Sequence, residues 1–127
     1  MKSLKNYISE AFKINKNTKL QKYNYFPETG EELKAIIKQR IKSEGNECDL
    51  NDIDTSKITD MSNLFFYSDF NGDISNWNVS NVKYMRRLFA SSKFNQDISK
   101  WNVSNVISYV EIFDNCPIEE KYKPKFK

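Results

Sequence analysis

The chain of 127 residues contains no histidine, only two cysteines and no long apolar run. Without histidine, general acid–base catalysis would fall to carboxylates or lysine. Cys48 and Cys116 lack the spacing of metal ligands, so we expect packed thiols rather than a metal or redox site. No stretch approaches the roughly 18 consecutive apolar residues that span a bilayer. We therefore expect a non-enzymatic protein that uses no cofactor or metal and has no membrane partner.

The beginning of the chain lacks the apolar segment of a secretory signal. Lysines and Glu10 interrupt the first 20 residues, where such a segment would lie. Export by that route is not expected, and the sequence predicts a cytoplasmic location.

The net charge of +3 hides an uneven distribution along the chain. Residues 1–48 carry ten Lys/Arg against six Asp/Glu, whereas residues 49–120 carry six against eleven. Residues 121–127 then add four lysines. Two basic ends around an acidic body could contact nucleic acid. No basic cluster coincides with a nucleic-acid reading motif, so we expect these ends to be solvated and keep nucleic-acid binding as an alternative.

Residues 49–118 repeat every 24 positions, and the three copies align without a gap. The copies begin at Asp49, Asp73 and Asp97. Apolar residues return at equivalent positions, which are Leu50/Ile74/Ile98, Ile53/Trp77/Trp101, Ile58/Val82/Val106, Leu64/Leu88/Ile112, Phe65/Phe89/Phe113 and Phe70/Phe94/Ile118. A short unit of this regularity buries its apolar face against the next copy. The period therefore favours a binding module over an enzyme.

Recurring polar and aromatic residues predict how the copies contact one another. We expect Trp77 and Trp101 to share one core, because an indole ring buries a large apolar area. Buried loop backbone also needs hydrogen-bond partners. The asparagines that recur in the repeats are expected to supply them from copy to copy, at Asn71/Asn95, Asn78/Asn102 and Asn81/Asn105.

The segment before the repeats predicts a capping helix. Thr29 and Glu32 have the spacing of a capping box, and Gly45 is the expected stop. A stripe at helical spacing lies between them, formed by Leu33, Ile36, Ile37, Arg40 and Ile41. We expect this helix to run to about Ser43 and to cover the first repeat. Residues 3–14 predict an earlier amphipathic helix and residues 19–26 a short strand.

Each copy predicts one strand and one helix. Residues 73–75 follow a turn and are expected to form a brief strand. After a cap at Ser80 or Asn81, apolar residues continue at helical spacing, at Val82, Met85, Leu88 and Phe89. Three stacked copies would then place a small sheet on one side and a row of helices on the other.

The repeats resemble a known family. Residues 77–82 and 101–106 both read W-N-V-S-N-V, and residues 54–58 match more weakly. Followed by M-x-x-L-F and F-N-x-D-I-S, this motif resembles the BspA-like bacterial surface-protein repeats. Those are leucine-rich-like repeats, also described as a domain of unknown function in mycoplasmas, gut bacteria and their phages. The resemblance implies a leucine-rich-like solenoid that binds other macromolecules, and it implies no particular ligand.

We therefore predict an α/β fold, a short leucine-rich-like repeat solenoid of three 24-residue coils with an N-terminal helical cap. Residues 1–14 would be an amphipathic helix or a targeting leader, and residues 15–48 a strand plus the capping helix. Residues 49–118 would form the solenoid, and residues 119–127 a basic tail.

The first 11 residues carry a second resemblance. They resemble the capsid-targeting leader of internal head proteins in large tailed phages, which a prohead protease cuts after Glu. Ile8 and Glu10 followed by Ala11 fit that cleavage pattern. The resemblance implies a phage-encoded, head-targeted protein in the virion interior. The alternative is an amphipathic helix that packs on the repeats.

Recognition is expected at positions that differ between copies. Asn51, Ser75, Ser99 and Lys100 flank the predicted strand, and Tyr84, Arg86 and Arg87 lie outward on the predicted second helix. Arg and Tyr are favoured in protein interfaces, although a solvated helix face would show the same pattern.

We expect the chain to bind another protein without catalysis. One alternative is an intracellular inhibitor of a host enzyme or defence complex, which would use the same surface. Another is nucleic-acid binding through the basic termini. A hydrolase with paired Asp or Glu residues would need a pocket that so short an array has little room to form. The sequence specifies neither the identity of the partner nor the oligomeric state.

Overall fold

The structure, a computed structural model, describes residues 22–127. In this part of the chain, regular secondary structure is confined to one α-helix, α1 (Gly30–Glu44), and a 3-10 helix at Glu120–Tyr122. Three isolated parallel bridges are also present, joining Tyr25 to Ile53, Asp60 to Tyr84 and Tyr84 to Ser108. Residues 22–127 form no β-sheet.

The predicted α/β fold, a leucine-rich-like solenoid of three coils, is therefore wrong. Residues 73–75 lie in irregular structure rather than a strand, and residues 82–89 form a bridge at Tyr84 followed by turns rather than a helix. The strand predicted over residues 19–26 is absent from its described part, where Tyr25 alone forms a bridge. The structure contains three turn-rich repeats instead, which we number 1 (49–72), 2 (73–96) and 3 (97–120).

Left-handed backbone conformations explain why the repeats contain no helix. Arg87 has a φ of 54° and Ser91 a φ of 53°. The equivalent residues of repeats 1 and 3 are also left-handed, at Asn63, Tyr67, Glu111 and Asn115. L-residues with positive φ interrupt a right-handed helix. Apolar residues at helical spacing therefore lie on successive β-turns, as where the Leu88 N–H donates to the Met85 carbonyl at 3.3 Å.

Hydrogen bonds within and between repeats alternate along these turns. The N–H groups of Met61, Asn63, Phe65 and Tyr67 donate to repeat 2, at the carbonyls of Tyr84, Arg86, Leu88 and Ala90. The same positions of repeat 2 donate to repeat 3, from Met85, Arg87, Phe89 and Ser91 to Ser108, Val110, Ile112 and Asp114. All eight N–O distances lie between 2.8 and 3.1 Å. We call this arrangement the turn ladder; every second N–H in it points to the following repeat.

Aromatic side chains from successive repeats stack in the interior. The rings of Trp77 and Trp101 lie 6.3 Å apart at an interplanar angle of 7°. Phe89 stacks on Phe65 at 5.6 Å and on Phe113 at 5.9 Å. Both tryptophans are buried, so the prediction that they share a core is confirmed. Each indole N–H also donates to the preceding repeat, at the carbonyls of Leu50 and Ile74.

Two of the three asparagine positions link one repeat to the next. The Asn81 and Asn105 amides donate to carbonyls of the preceding repeat, each at 2.7 Å. The Asn71 side chain accepts from the Asn95 N–H at 2.8 Å. Asn78 differs, because its side chain accepts from the N–H of Ser80 and closes a local turn. The predicted contacts are confirmed at Asn81/Asn105 and at Asn71/Asn95, and they are wrong at Asn78/Asn102.

The helix predicted before the repeats is confirmed as α1. The Thr29 hydroxyl accepts from the Glu32 N–H at 3.1 Å, which caps the first turn. Gly45 ends the helix with a φ of 94°, and its N–H donates to the Ile41 carbonyl. The predicted stripe is buried at Leu33, Ile36, Ile37 and Arg40, and half-buried at Ile41.

Both ends of α1 contact repeat 1. At its first residue, a Cβ on Gly30 would lie 2.7 Å from the Asp60 carbonyl oxygen. Near its last turn, Arg40 donates to the Asp52 carboxylate at 2.8 Å and pairs with Glu44. Burial lowers the pKa of Arg40, but the hydrogen bonds to Glu44 and Asp52 outweigh it and hold the pKa above its ordinary value. Arg40 therefore stays charged and fixes α1 to repeat 1.

The basic tail lies on repeat 3. The Ile98 N–H donates to the Tyr122 carbonyl at 3.0 Å. The Phe126 ring stacks on Tyr109 at 4.0 Å, and Pro124 is buried. The tail therefore covers part of the last repeat's apolar side, as α1 covers that of the first.

Candidate binding surface on the repeats

The parallel bridges hold one row of outward side chains in register. Asp60, Tyr84 and Ser108 occupy equivalent positions, and each is bridged to the next. The N–H groups of Lys83 and Ile107 donate to the preceding repeat, each at 2.7 Å. We call the outward residues around these bridges the bridge-row surface; they are Thr59, Asp60, Ser62, Lys83, Tyr84, Arg86, Ile107, Ser108 and Val110.

The chemistry of the bridge-row surface changes from repeat to repeat. Repeat 1 contributes Thr59, Asp60 and Ser62, which are polar or acidic. Repeat 2 contributes two cations and a tyrosine, and repeat 3 two aliphatic side chains. Ile107 is 67% exposed and Val110 is 55% exposed, so their side chains stand largely in solvent. Exposed aliphatics beside cations provide both apolar area and charge for a partner.

Arg86 is held in place before any partner arrives. Its guanidinium lies 5.0 Å from the centre of the Tyr84 ring. Its Nε donates to the Ser108 hydroxyl at 3.0 Å. No carboxylate among residues 22–127 forms an ion pair with Arg86 or Lys83. The structure therefore brings together Tyr84 and Arg86, two of the residues predicted for recognition, with charge left for an anionic group.

Arg87, the third residue predicted on this side, differs from Arg86. Its Nε donates to the Glu111 carboxylate of repeat 3 at 2.8 Å. Because the charge is already paired and the backbone is left-handed, Arg87 links two repeats.

The other predicted residues occupy a separate turn that is closed by aspartates. The Ser75 and Ser99 N–H groups donate to Asp73 and Asp97, each at 2.9 Å. The Asn51 side chain accepts from the Asn76 N–H at 2.9 Å, and Lys100 is exposed beside this turn. The structure does not bring these four residues onto the bridge-row surface, and the three with polar partners use them within the repeats.

Hydrogen bonds lower the pKa of two of the turn aspartates. At Asp73 the main cause is the backbone N–H of Ser75, helped by the side chains of Asn51 and Ser75. At Asp97 the Ser99 hydroxyl is the main cause, followed by the Ser99 N–H. Donors aimed at a carboxylate favour its charged form, so these aspartates stabilise the turns as anions.

Two exposed groups were not predicted. In repeats 1 and 2, polar residues occupy the positions of Ile107 and Val110. This difference between copies could have identified the two residues from the sequence. Phe66 and Tyr67 form an exposed aromatic pair in repeat 1, with ring centres 4.4 Å apart. They align with Ala90 and Ser91, so the same comparison of copies would have found them.

No group of three or more Cys, Asp or Glu side chains within residues 22–127 is arranged to hold a metal ion. None of the helices in that range is long and apolar enough to cross a membrane. Cys48 is buried, and burial raises its pKa. The predicted processing site at Ile8, Glu10 and Ala11 lies outside the described residues and stays a prediction.

Comparisons with known proteins place the chain in one family. No curated protein matches the chain, and no solved structure does. A family described as Mycoplasma protein of unknown function, DUF285, matches residues 32–121. This range contains most of α1 and all three repeats, which agrees at a coarse level with the repeat resemblance found in the sequence. Because the match covers more than half of the chain, the chain belongs to the DUF285 family.

Proposed function

We propose that the chain is a non-enzymatic repeat module that binds another protein through the bridge-row surface. One observation carries the proposal, namely that Arg86 and Tyr84 form an ordered pair beside the exposed Ile107 and Val110. Arginine and tyrosine are enriched among residues that dominate interface energies. A preorganised side chain also loses less conformational freedom on binding, which favours affinity.

The sequence motif of the repeats supports the same function. The W-N-V-S-N-V segments at residues 77–82 and 101–106 resemble BspA-like repeats, and this resemblance implies binding of other macromolecules. The lack of histidine supports a role without acid–base catalysis. A host enzyme or defence complex would be one class of partner, and inhibition would then follow from occupation of its surface.

Affinity capture with matched variants tests the proposal. The full chain, an Arg86→Ala/Tyr84→Ala variant and a Ser99→Ala/Lys100→Ala control would be immobilised and exposed to host lysate. Capture would be quantified by mass spectrometry. We expect at least one protein to bind the full chain and the control in stoichiometric amounts. The captured amount of that protein should fall about tenfold with the Arg86→Ala/Tyr84→Ala variant.

Two outcomes would contradict protein binding by this surface. In one, the same proteins would bind all three chains equally. In the other, capture would disappear after nuclease treatment and would fall steeply with salt, which is the behaviour of a nucleic-acid binder. Circular dichroism of the variants would establish that each is folded before the comparison.

A further inference from the structure

The turn ladder gives every repeat two chemically different edges. In repeat 1, and again in repeat 2, four N–H groups donate to the following repeat. Repeat 3 has the same four groups, and no acceptor for them is present among residues 22–127. We call them the amide edge; they are the backbone N–H groups of Tyr109, Glu111, Phe113 and Asn115.

The carbonyls along the amide edge from Ser108 to Asp114 are already used as acceptors. The carbonyls of Ser108, Val110, Ile112 and Asp114 already accept from repeat 2. The carbonyls of Tyr109, Glu111 and Phe113 accept from the N–H three residues further along their own turns. An ordinary β-strand edge alternates donors and acceptors, whereas this edge requires a partner that supplies oxygens.

The basic tail leaves this edge without acceptors. It covers the Tyr109 ring with Phe126, and Lys123 lies 5.2 Å from the centre of the Phe113 ring. Its backbone bond to the repeat is made at Ile98, outside the amide edge. Ile107 and Val110 remain exposed on either side of Tyr109.

We propose that the amide edge binds an acidic backbone segment of a partner protein. Backbone carbonyls of that segment accept from the four N–H groups, as the carbonyls of repeats 2 and 3 do for the repeats before them. Apolar side chains of the segment pack on Ile107 and Val110, and its carboxylates approach Lys83 and Arg86. This inference rests on the proposed function and specifies which kind of segment the partner presents.

The polarity of the ladder argues against a second copy of this chain as the occupant. Two amide edges facing each other would oppose donors to donors. The edge of complementary polarity belongs to repeat 1, where α1 already covers the Asp60 carbonyl at Gly30. Lys83 and Arg86 form no ion pair within residues 22–127, and their charge favours a segment with carboxylates over a neutral one.

Peptide binding to the full chain, followed by NMR, tests the inference. The probe is a short, capped peptide of alternating Glu and Val, with a Lys and Val peptide as control. We expect the Glu peptide to slow hydrogen exchange at the Tyr109, Glu111, Phe113 and Asn115 amides. The Lys peptide should not do so. N-methylation of alternate residues in the Glu peptide should leave its affinity unchanged, because only its carbonyls are used.

A matched pair of variants locates the apolar contact. Val110→Asp should weaken binding of the Glu peptide about tenfold, through lost apolar area and repulsion. Tyr67→Ser removes an exposed aromatic residue of repeat 1 and introduces the residue that repeat 2 has there, so it should leave binding unchanged. Equal losses in both variants would overturn the placement.

Four other results would overturn the inference. The Glu peptide could bind without protecting the four amides, or not bind at all. The amides could be protected in the peptide-free chain at every concentration, which would mean that the chain itself covers them. Protection that rises with protein concentration would identify a second copy. None of these results removes the Arg86/Tyr84 dependence of partner capture, so failure here is distinguishable from failure of the proposed function.

Discussion

The two ends of the repeat stack expose opposite backbone groups and are covered in different ways. At repeat 1 the ladder ends in carbonyls, and Gly30 at the N-terminus of α1 lies against the carbonyl of Asp60. A helix N-terminus carries partial positive charge, so its polarity matches these carbonyls. At repeat 3 the ladder ends in N–H groups, and the tail provides aromatic cover without backbone acceptors.

Apolar burial at the two ends follows the same division. Leu33, Ile36 and Ile37 of α1 are at most 3% exposed, whereas Ile107 and Val110, on the bridge-row surface of repeat 3, are more than half exposed. A shallow cavity of about 260 Å³ remains where α1 meets repeat 1, lined by Gly30, Glu31, Lys34, Asp60, Ser62 and Leu64. Within residues 22–127, the first end of the stack therefore has matched polarity and an apolar cover, whereas the second end has aromatic cover alone.

The largest expected difference between the ends comes from truncating one apolar side chain at each. Leu33→Ala should lower the free energy of unfolding by about 3–4 kcal/mol, because Leu33 is fully buried between α1 and the repeats. Ile107→Ala should change it by less than about 0.5 kcal/mol. Urea denaturation followed by circular dichroism measures both. Equal losses would show that Ile107 is packed as tightly as Leu33.

The helix α1 could be predicted from sequence because its signals are local. Thr29, Glu32 and Gly45 fix its ends through contacts a few residues away. The repeats could not be predicted in the same way. The spacing of Met85 and Leu88 suits a helix and a series of turns equally, and the left-handed φ at Arg87 decides between them. Arginine has no conformational preference for positive φ, so its presence at this position does not predict a left-handed residue.

The candidate surface was partly predictable for a related reason. Tyr84 and Arg86 stood out as residues that differ between copies, and the structure places both on one surface. The amide edge could not be inferred from residue types, because backbone N–H groups are common to every residue except proline. Its existence depends on which N–H groups the turns leave for the next repeat.

A smaller effect is expected where the connection after α1 crosses repeat 1. A Cβ on Gly72 would lie 2.0 Å from the Cys48 carbonyl oxygen and 2.7 Å from the Phe70 ring. Gly72→Ala should therefore cost about 2–3 kcal/mol through forced displacement of backbone. Repeat 2 has Gln96 at this position, which offers a matched control.

Gln96→Ala should lose only its hydrogen bond to the Asn71 carbonyl, or about 0.5–1 kcal/mol. Thermal and urea denaturation of the two variants give the comparison. If Gly72→Ala were as mild as Gln96→Ala, the connection would not be packed against repeat 1, and the first end of the stack would be more loosely covered than described.

The smallest effect concerns acid stability at the turn shared by Asn51 and Ser75. Hydrogen bonds hold the folded pKa of Asp73 below the ordinary value of an aspartate. A depressed folded pKa contributes stability above the unfolded pKa, and that contribution is lost as the pH falls through the folded value. Asp73→Asn keeps an oxygen that can close the turn but cannot titrate. The variant should therefore lose less stability than the parent chain as the pH falls from about 5 to about 2. This range brackets the pKa of an ordinary carboxylate. The free energy of unfolding measured across this range provides the test, and parallel curves for the two chains would mean that Asp73 titrates alike in the folded and unfolded states.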